Sequence, residues 1–339
     1  MAPVGFVDRL RKLYAKQSGD LPPVLSVSTA AFLSILVTLA YVVPFYISKQ
    51  TRPSASLSRD APSVIRSRVR AVTLACIGST FFMLAIITLK ASASLPEALK
   101  LLGYWPIGFL EILKSFLLTA ILFSGPLFER GIVERDWMLG IRGAAIAESL
   151  RSWIGFRNFV AGPITEEVIF RSIIISLHLL AKMTPTRIVF ISPLYFGIAH
   201  VHHFYEFRLT HPDTPVIAAV LRSLFQFAFT TVFGWFAAFV YLRTGSLPAV
   251  ILVHSFCNWC GLPRVWGRIE AGVRISPPVV RGKDDTEVSP AQVTDGRVPV
   301  GWTIAYYELL VAGAVGFYFL LWPLTESPLA LASFAASSK

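Results

Sequence analysis

Three short segments place groups capable of acid–base chemistry inside stretches that are otherwise apolar. The first, Gly162-Pro-Ile-Thr-Glu-Glu-Val-Ile-Phe-Arg171, carries two carboxylates and a guanidinium within six residues. Glu167 and Arg171 are four apart, so on a helix they share a face and can pair, with Glu placed N-terminal as the helix dipole prefers. Glu166 then points about 100° away and is left for other work. The second segment, Phe196-Gly-Ile-Ala-His200, again puts two groups four apart, and His202 and His203 follow at its end. The third, His254-Ser-Phe-Cys-Asn258, does the same with an imidazole and an amide.

Each segment has a bland reading. A Glu–Arg pair can be a structural ion pair, and a lone histidine on an apolar face can be a satisfied core residue. Taken together the bland readings are hard to sustain, because polar groups left apart in hydrocarbon would each be unsatisfied. A charged side chain at the bilayer centre costs at least about 2.5–3.5 kcal/mol on insertion scales. Convergence on one water-filled cavity resolves the difficulty.

Such a cavity supports two chemistries. In one, Glu166 and His200 activate water as a general base and return the proton to a leaving amine. His254 and Asn258 then donate hydrogen bonds to a tetrahedral oxyanion. In the other, zinc held by His200, His254 and a glutamate generates the nucleophile. The usual His-Glu-x-x-His pair of zinc proteases is absent from the sequence, and the residue types alone leave both readings open. Nucleophilic catalysis has less support. No Ser sits in a Gly-x-Ser-x-Gly turn, Ser255 points away from its neighbour His254, and Cys257 has no evident orienting carboxylate. No Gly-rich phosphate loop is present.

The elements that must position these groups follow from composition. The 339 residues are 54% hydrophobic and only 15% charged, with a mean hydropathy of +0.62. A soluble domain averages about 25% charged residues, which excludes an ordinary soluble enzyme. The 26 Phe, 8 Trp and 10 Tyr suit lipid contact and interfacial anchoring. Apolar runs read as membrane helices lie at 24–47, 71–89, 106–128, 159–181, 188–203, 216–242, 245–263 and 301–324, of which 188–203 is short for a span. The expectation is an all-α, polytopic membrane helix bundle of about eight transmembrane helices, with 1–339 as a single integral membrane domain. The chemistry-bearing segments occupy 159–263, and 264–300 reads as a Pro-rich polar loop.

The net charge of +11 does not point to nucleic acid, because the basic residues lie between apolar runs and suit anionic lipid headgroups. Loops 49–70, 129–157, 204–215 and 264–300 together hold 18 Lys and Arg, against 10 in the termini and the other loops. The positive-inside rule then favours both termini outside the cytosol, although Arg9, Arg11, Lys12 and Lys16 pull the other way. The first apolar run is too long for a signal peptide and is read as a retained helix. Cys76, Cys257 and Cys260 lie in apolar segments and are read as helix cysteines without a disulfide framework.

The three segments together resemble the type II CAAX prenyl endopeptidase family, the Ras-converting enzymes, within the wider CPBP group of intramembrane proteins. That family shows Glu-Glu-x-x-x-Arg, then Phe-x-x-x-His, then His-x-x-x-Asn, which match Glu166-Glu167 to Arg171, Phe196 to His200 and His254 to Asn258 in order. The text at His200-Val-His-His203, from Gln226 to Gly245 and across His254–Gly261 is similar to the eukaryotic branch. The resemblance covers residues 159–263.

It implies an endopeptidase in the endoplasmic reticulum membrane, with its active site reached from the cytosol. Its substrates would be farnesylated or geranylgeranylated CAAX proteins, Ras-like GTPases among them, from which it releases the aaX tripeptide. It implies a glutamate-type, metal-independent enzyme with no cofactor, and so weighs against zinc. By the same resemblance Glu166 and His200 activate water, His254 and Asn258 form the oxyanion hole, Glu167 and Arg171 hold their helix, and Phe196 lines the site. A zinc-dependent intramembrane protease, or a non-enzymatic CPBP-like scaffold or transporter, are the alternatives. An Asn in the constellation and the lack of internal repeats argue against a transporter.

Overall fold

Hydrophobic runs of this length become helices because lipid leaves no partner for an open backbone. The computed structural model describes residues 22–54, 57–134, 150–270 and 298–334. The principal helices are α1 (Val27–Val42), α2 (Pro62–Ala85), α3 (Leu95–Leu101), α4 (Phe109–Leu122), α5 (Gly162–Glu167), α6 (Ile174–Leu180), α7 (Pro185–Ala199), α8 (His202–Thr210), α9 (Val216–Thr244), α10 (Leu247–Cys260) and α11 (Val300–Thr325). Their starts are written in the sequence. Ser26 accepts a hydrogen bond from the Thr29 N–H at the head of α1, and Ser94 with Glu97 forms a capping box on α3. Prolines at the first turns of α2 and α7 sit where a missing N–H costs nothing.

Four helical runs are long and apolar enough to cross a bilayer: Val27–Ile47, Pro62–Lys90, Val216–Thr244 and Val300–Thr325. A fifth is reached if Phe109–Leu122 and Ser124–Val133, bent by 81°, count together. The all-helical membrane class holds, and the protein is a multi-pass membrane protein; the count of about eight is not reached on these criteria among the described residues. The shortfall has a physical cause. The expected spans at 188–203 and 245–263 are the shorter helices α7 and α10, and the one at 159–181 is broken up by π turns. Residues 167–181 meet protein rather than lipid, so unbroken apolarity is not demanded of them, whereas α7 buries one face and turns Phe190, Leu194 and Ile198 outward. Every residue of α6 is buried. The long helices instead present large apolar residues outward, such as Leu74 on α2 and Phe319 on α11, each 69% exposed. Apolar exposure of that kind marks a lipid-facing surface.

The described residues fall into two compact units. The first comprises those of 22–117, 150–259 and 322–334, and contains every site residue singled out above. Its core surrounds α6, which packs on α1 and α7. The turn ending α3 is fastened to it by side chains: Ser172 donates to the Leu102 carbonyl at 2.7 Å, and Ser176 and Tyr241 both donate to that of Leu101. The second unit comprises 118–134, 260–270 and 298–321. There Phe128 stacks on Trp302, Arg264 pairs with Glu129 at 3.1 Å, and the Tyr306 hydroxyl donates to the Arg264 carbonyl. The basic N-terminal region at residues 9–16 and most of the 264–300 loop lie outside the described residues. Cys76 is buried, whereas Cys257 and Cys260 are half-buried; all three are free thiols.

The broadest helix contact joins α7 to α9, and it depends on Gly234 facing Pro193. A Cβ at Gly234 would lie 2.6 Å from the Pro193 Cβ, part of a ring that cannot swing away. Gly234→Ala is expected to destabilise the protein by about 1–3 kcal/mol through overpacking. Gly78→Ala, whose new Cβ meets nothing within 4 Å, is expected to be neutral or slightly stabilising. Thermal unfolding of the detergent-solubilised protein compares the two, and equal midpoints would exclude Gly234 as a packing requirement.

Candidate active site

The helix that carries the paired glutamates is irregular on both sides. A π turn, Arg157–Ala161, leads into α5, and a second, Val168–Ile173, leads out. Such turns hold one extra residue and concentrate at functional sites. Gly162 is required at the first junction, since a Cβ there would lie 2.8 Å from the Arg157 carbonyl oxygen. Thr165 donates back to the Ala161 carbonyl at 2.8 Å and meets the Tyr41 hydroxyl at 3.1 Å, which ties α5 to α1.

Glu167 is fully buried and has two partners. One is Arg171, whose Nε is 3.1 Å from Oε2. The other is His254 on α10, whose Nδ1 is 2.6 Å from Oε1. The Arg171 guanidinium has no hydrogen-bond partner at Nη1 or Nη2 and instead lies over the rings of Phe196 and Phe233, 4.6 and 5.5 Å from their centroids. Cation–π attraction to two ring faces replaces part of its lost hydration. Phe196 is buried and does not line the cavity: it packs beneath it, edge-on to Phe170 and to His200.

Glu166 faces the other way, as expected. It lines a cavity of about 360 Å³ together with His200 and Asn258, within the range of small-ligand sites. His254 approaches the same carboxylate, its Nε2 lying 3.7 Å from Glu166 Oε2. His200 Nδ1 is 2.8 Å from the Phe196 carbonyl oxygen. A carbonyl only accepts, so Nδ1 carries the proton and the neutral ring presents an Nε2 lone pair. Asn258 donates one amide proton to the Asn158 carbonyl at 3.0 Å, and its Nδ2 has a second proton to offer. Three segments distant in sequence thus supply a carboxylate, a lone pair and an amide to one cavity. Among the described residues, no three His, Cys, Asp or Glu side chains are grouped as a metal site.

Comparison with known proteins gives the family. Residues 148–260, which contain all seven residues, match the family described as type II CAAX prenyl endopeptidase Rce1-like. A Schizosaccharomyces pombe protein named probable CAAX prenyl protease 2 is 34% identical over 87% of this chain and 93% of its own length. A human protein named CAAX prenyl protease 2 is 34% identical over 74% of this chain and 76% of its own. The chain belongs to the type II CAAX prenyl endopeptidase family. Membership makes it a peptidase. A Saccharomyces cerevisiae relative of the same name is 26% identical over 88% of this chain and 97% of its own. No solved structure matches this chain.

The site of this CAAX-family peptidase has parts that the motifs did not show. Arg59, Arg68, Arg157, His202 and His203 also line the cavity. Behind them stands Glu206 on α8, paired with Arg68 at 2.9 Å, with Arg59 at 3.4 Å and with His203 at 3.3 Å. Burial pushes the Glu206 carboxyl up, but the hydrogen bond from His203 and the Arg68 and Arg59 charges outweigh it and hold it at about 2. It therefore stays ionised throughout the physiological range. The sequence signs of this rim were His202 and His203 at the end of the second segment and the basic content of loops 49–70 and 129–157.

Arg171→Met removes the cation from a buried carboxylate and is expected to destabilise the protein by about 3–5 kcal/mol. A thermal midpoint equal to that of the wild type would show that Glu167 does not depend on Arg171.

Proposed function

We propose that the protein removes the C-terminal aaX tripeptide from prenylated CAAX proteins. The observation that carries this reading is the meeting of the Glu166 carboxylate, the His200 Nε2 lone pair and the Asn258 amide in one cavity. Glu166 and His200 take a proton from water, which attacks the scissile carbonyl, and return it to the departing amine. Asn258, with His254 when its ring carries both protons, donates to the oxyanion. Glu167 holds His254 by Nδ1 and so directs Nε2 toward Glu166. The protease names of the relatives support the substrate class, and Ras-like GTPases are the partners that class suggests.

The prenyl chain accounts for the setting. A farnesyl or geranylgeranyl group partitions into hydrocarbon, while the amide to be cut needs water and polar partners. The protein resides, on this reading, in the endoplasmic reticulum membrane with the cavity open to the cytosol. Arg59, Arg68 and Arg157, which line it, come from the basic loop segments that the positive-inside rule assigns to that side.

The test is tripeptide release from a farnesylated CAAX peptide by purified wild type and Glu166→Ala, with and without a strong zinc chelator. Cleavage by wild type that survives chelation and vanishes in the variant is the expected result. Loss on chelation, restored by zinc, would replace the glutamate mechanism with a metal one. No cleavage by folded wild type would overturn the proteolytic reading. Asn258→Ala is expected to lower kcat by about 10²–10³; full turnover would remove Asn258 from the mechanism.

A further inference from the structure

The bond to be cut lies three residues from the substrate's chain end, and a chain end carries a carboxylate. The cavity that holds Glu166 has a cationic part that the chemistry of water activation does not use. Arg59, Arg68 and Arg157 line it, and among the described residues two carboxylates pair with them, Asp60 and Glu206. That cluster of three guanidiniums and two carboxylates retains one positive charge, the complement of one more carboxylate.

The three arginines are not equivalent. Arg68 is committed: Nη2 is 2.9 Å from Glu206, Nε donates to the Thr51 carbonyl at 2.8 Å, and the guanidinium lies over Phe45. Arg59 is 40% exposed and only loosely held, 3.4 Å from Glu206 and 3.9 Å from Asp60. Arg157 pairs with Asp60 through Nη1 at 2.7 Å and with the Asn158 side chain through Nε at 2.9 Å. Asp60 Oδ1 therefore already sits between the guanidiniums of Arg59 and Arg157, showing that a carboxylate can be shared by the two.

We propose that Arg59 and Arg157 bind the α-carboxylate of the substrate's last residue and so set the cut three residues from the chain end. The spacing agrees. Nine steps of helical backbone, the first of them in a π turn, separate Arg157 from Glu166, at most about 13.5 Å at the α-helical rise of 1.5 Å per residue. Three extended residues span about 10 Å, and the arginine side chain reaches across the rest. Arg157 also adjoins Asn158, whose carbonyl accepts from Asn258, so the backbone that carries Arg157 is tied to α10. This inference rests on the proteolytic reading above and deepens it.

The test compares a farnesylated CAAX peptide ending in a free carboxylate with the same peptide ending in a carboxamide. Wild type is expected to favour the acid by about 10- to 100-fold in kcat/KM, mainly through KM, as charge-assisted hydrogen bonds allow. In Arg157→Gln and Arg59→Gln that ratio is expected to fall toward one, with Arg157→Lys intermediate. A merely structural role would slow both peptides together and leave the ratio intact. Equal cleavage of acid and amide by wild type would overturn the proposal while leaving the protease standing, and that comparison needs no variant to fold. A ratio kept by both Gln variants would overturn the assignment to these two arginines. Cleavage of neither peptide by wild type would overturn the proposal together with the reading beneath it.

Discussion

The Glu167 carboxylate, sealed from water between the Arg171 guanidinium and the His254 imidazole, fixes the relative positions of the reactive groups. A buried ion is costly, and it is tolerated where its partners are close and held in place. Arg171 lies on the same helical run, His254 comes from α10, and the aromatic faces that shelter Arg171 come from α7 and α9. Holding one charge thus ties four stretches of chain together. Glu166, the next residue, inherits its direction from that arrangement, and His200 inherits its own from Phe196, which lies against both Arg171 and the imidazole. The reactive side of α5 is set by what is buried on its other side.

Around this polar centre the chain behaves as a solute of two solvents. The long helices turn leucines and phenylalanines outward, whereas the cavity is rimmed by arginines and histidines. A substrate with a lipid at one end of its reactive segment and a charge at the other has matching partners in the two media. The run through α6 belongs to the interior, where shape matters more than hydropathy.

Much of the site was legible because its pairs lie within single helices. The four-residue spacings of Glu167 with Arg171, Phe196 with His200 and His254 with Asn258 fix shared faces from sequence alone, and the contact of Arg171 with Glu167 follows. What spacing could not give is contact across helices. The Glu167–His254 bond joins residues 87 apart, and the Asn258–Asn158 bond residues 100 apart. Phe196 was expected in the cavity wall and is instead under it, because an aromatic face is needed to shelter Arg171. The arginine rim was hidden for another reason: Arg59 and Arg157 sit in segments whose basic content reads as a topology signal, with nothing to say that they converge. Among the described residues fewer spans than about eight meet the criteria of length and composition, because hydropathy does not distinguish a helix facing lipid from one facing protein.

The two π turns on either side of α5 make the length of this segment as important as its content. A π turn accommodates one residue more than an α turn, so deleting a residue from 168–173 could restore regular helix without breaking it. The restored helix would rotate everything on its far side by about 100°, carrying Glu166 away from His200 and Asn258. Side-chain changes in this stretch have graded consequences for packing, whereas a one-codon deletion acts all at once on the register of the site. The number of residues between Arg157 and Ile174 is therefore a constraint on the site separate from their identities.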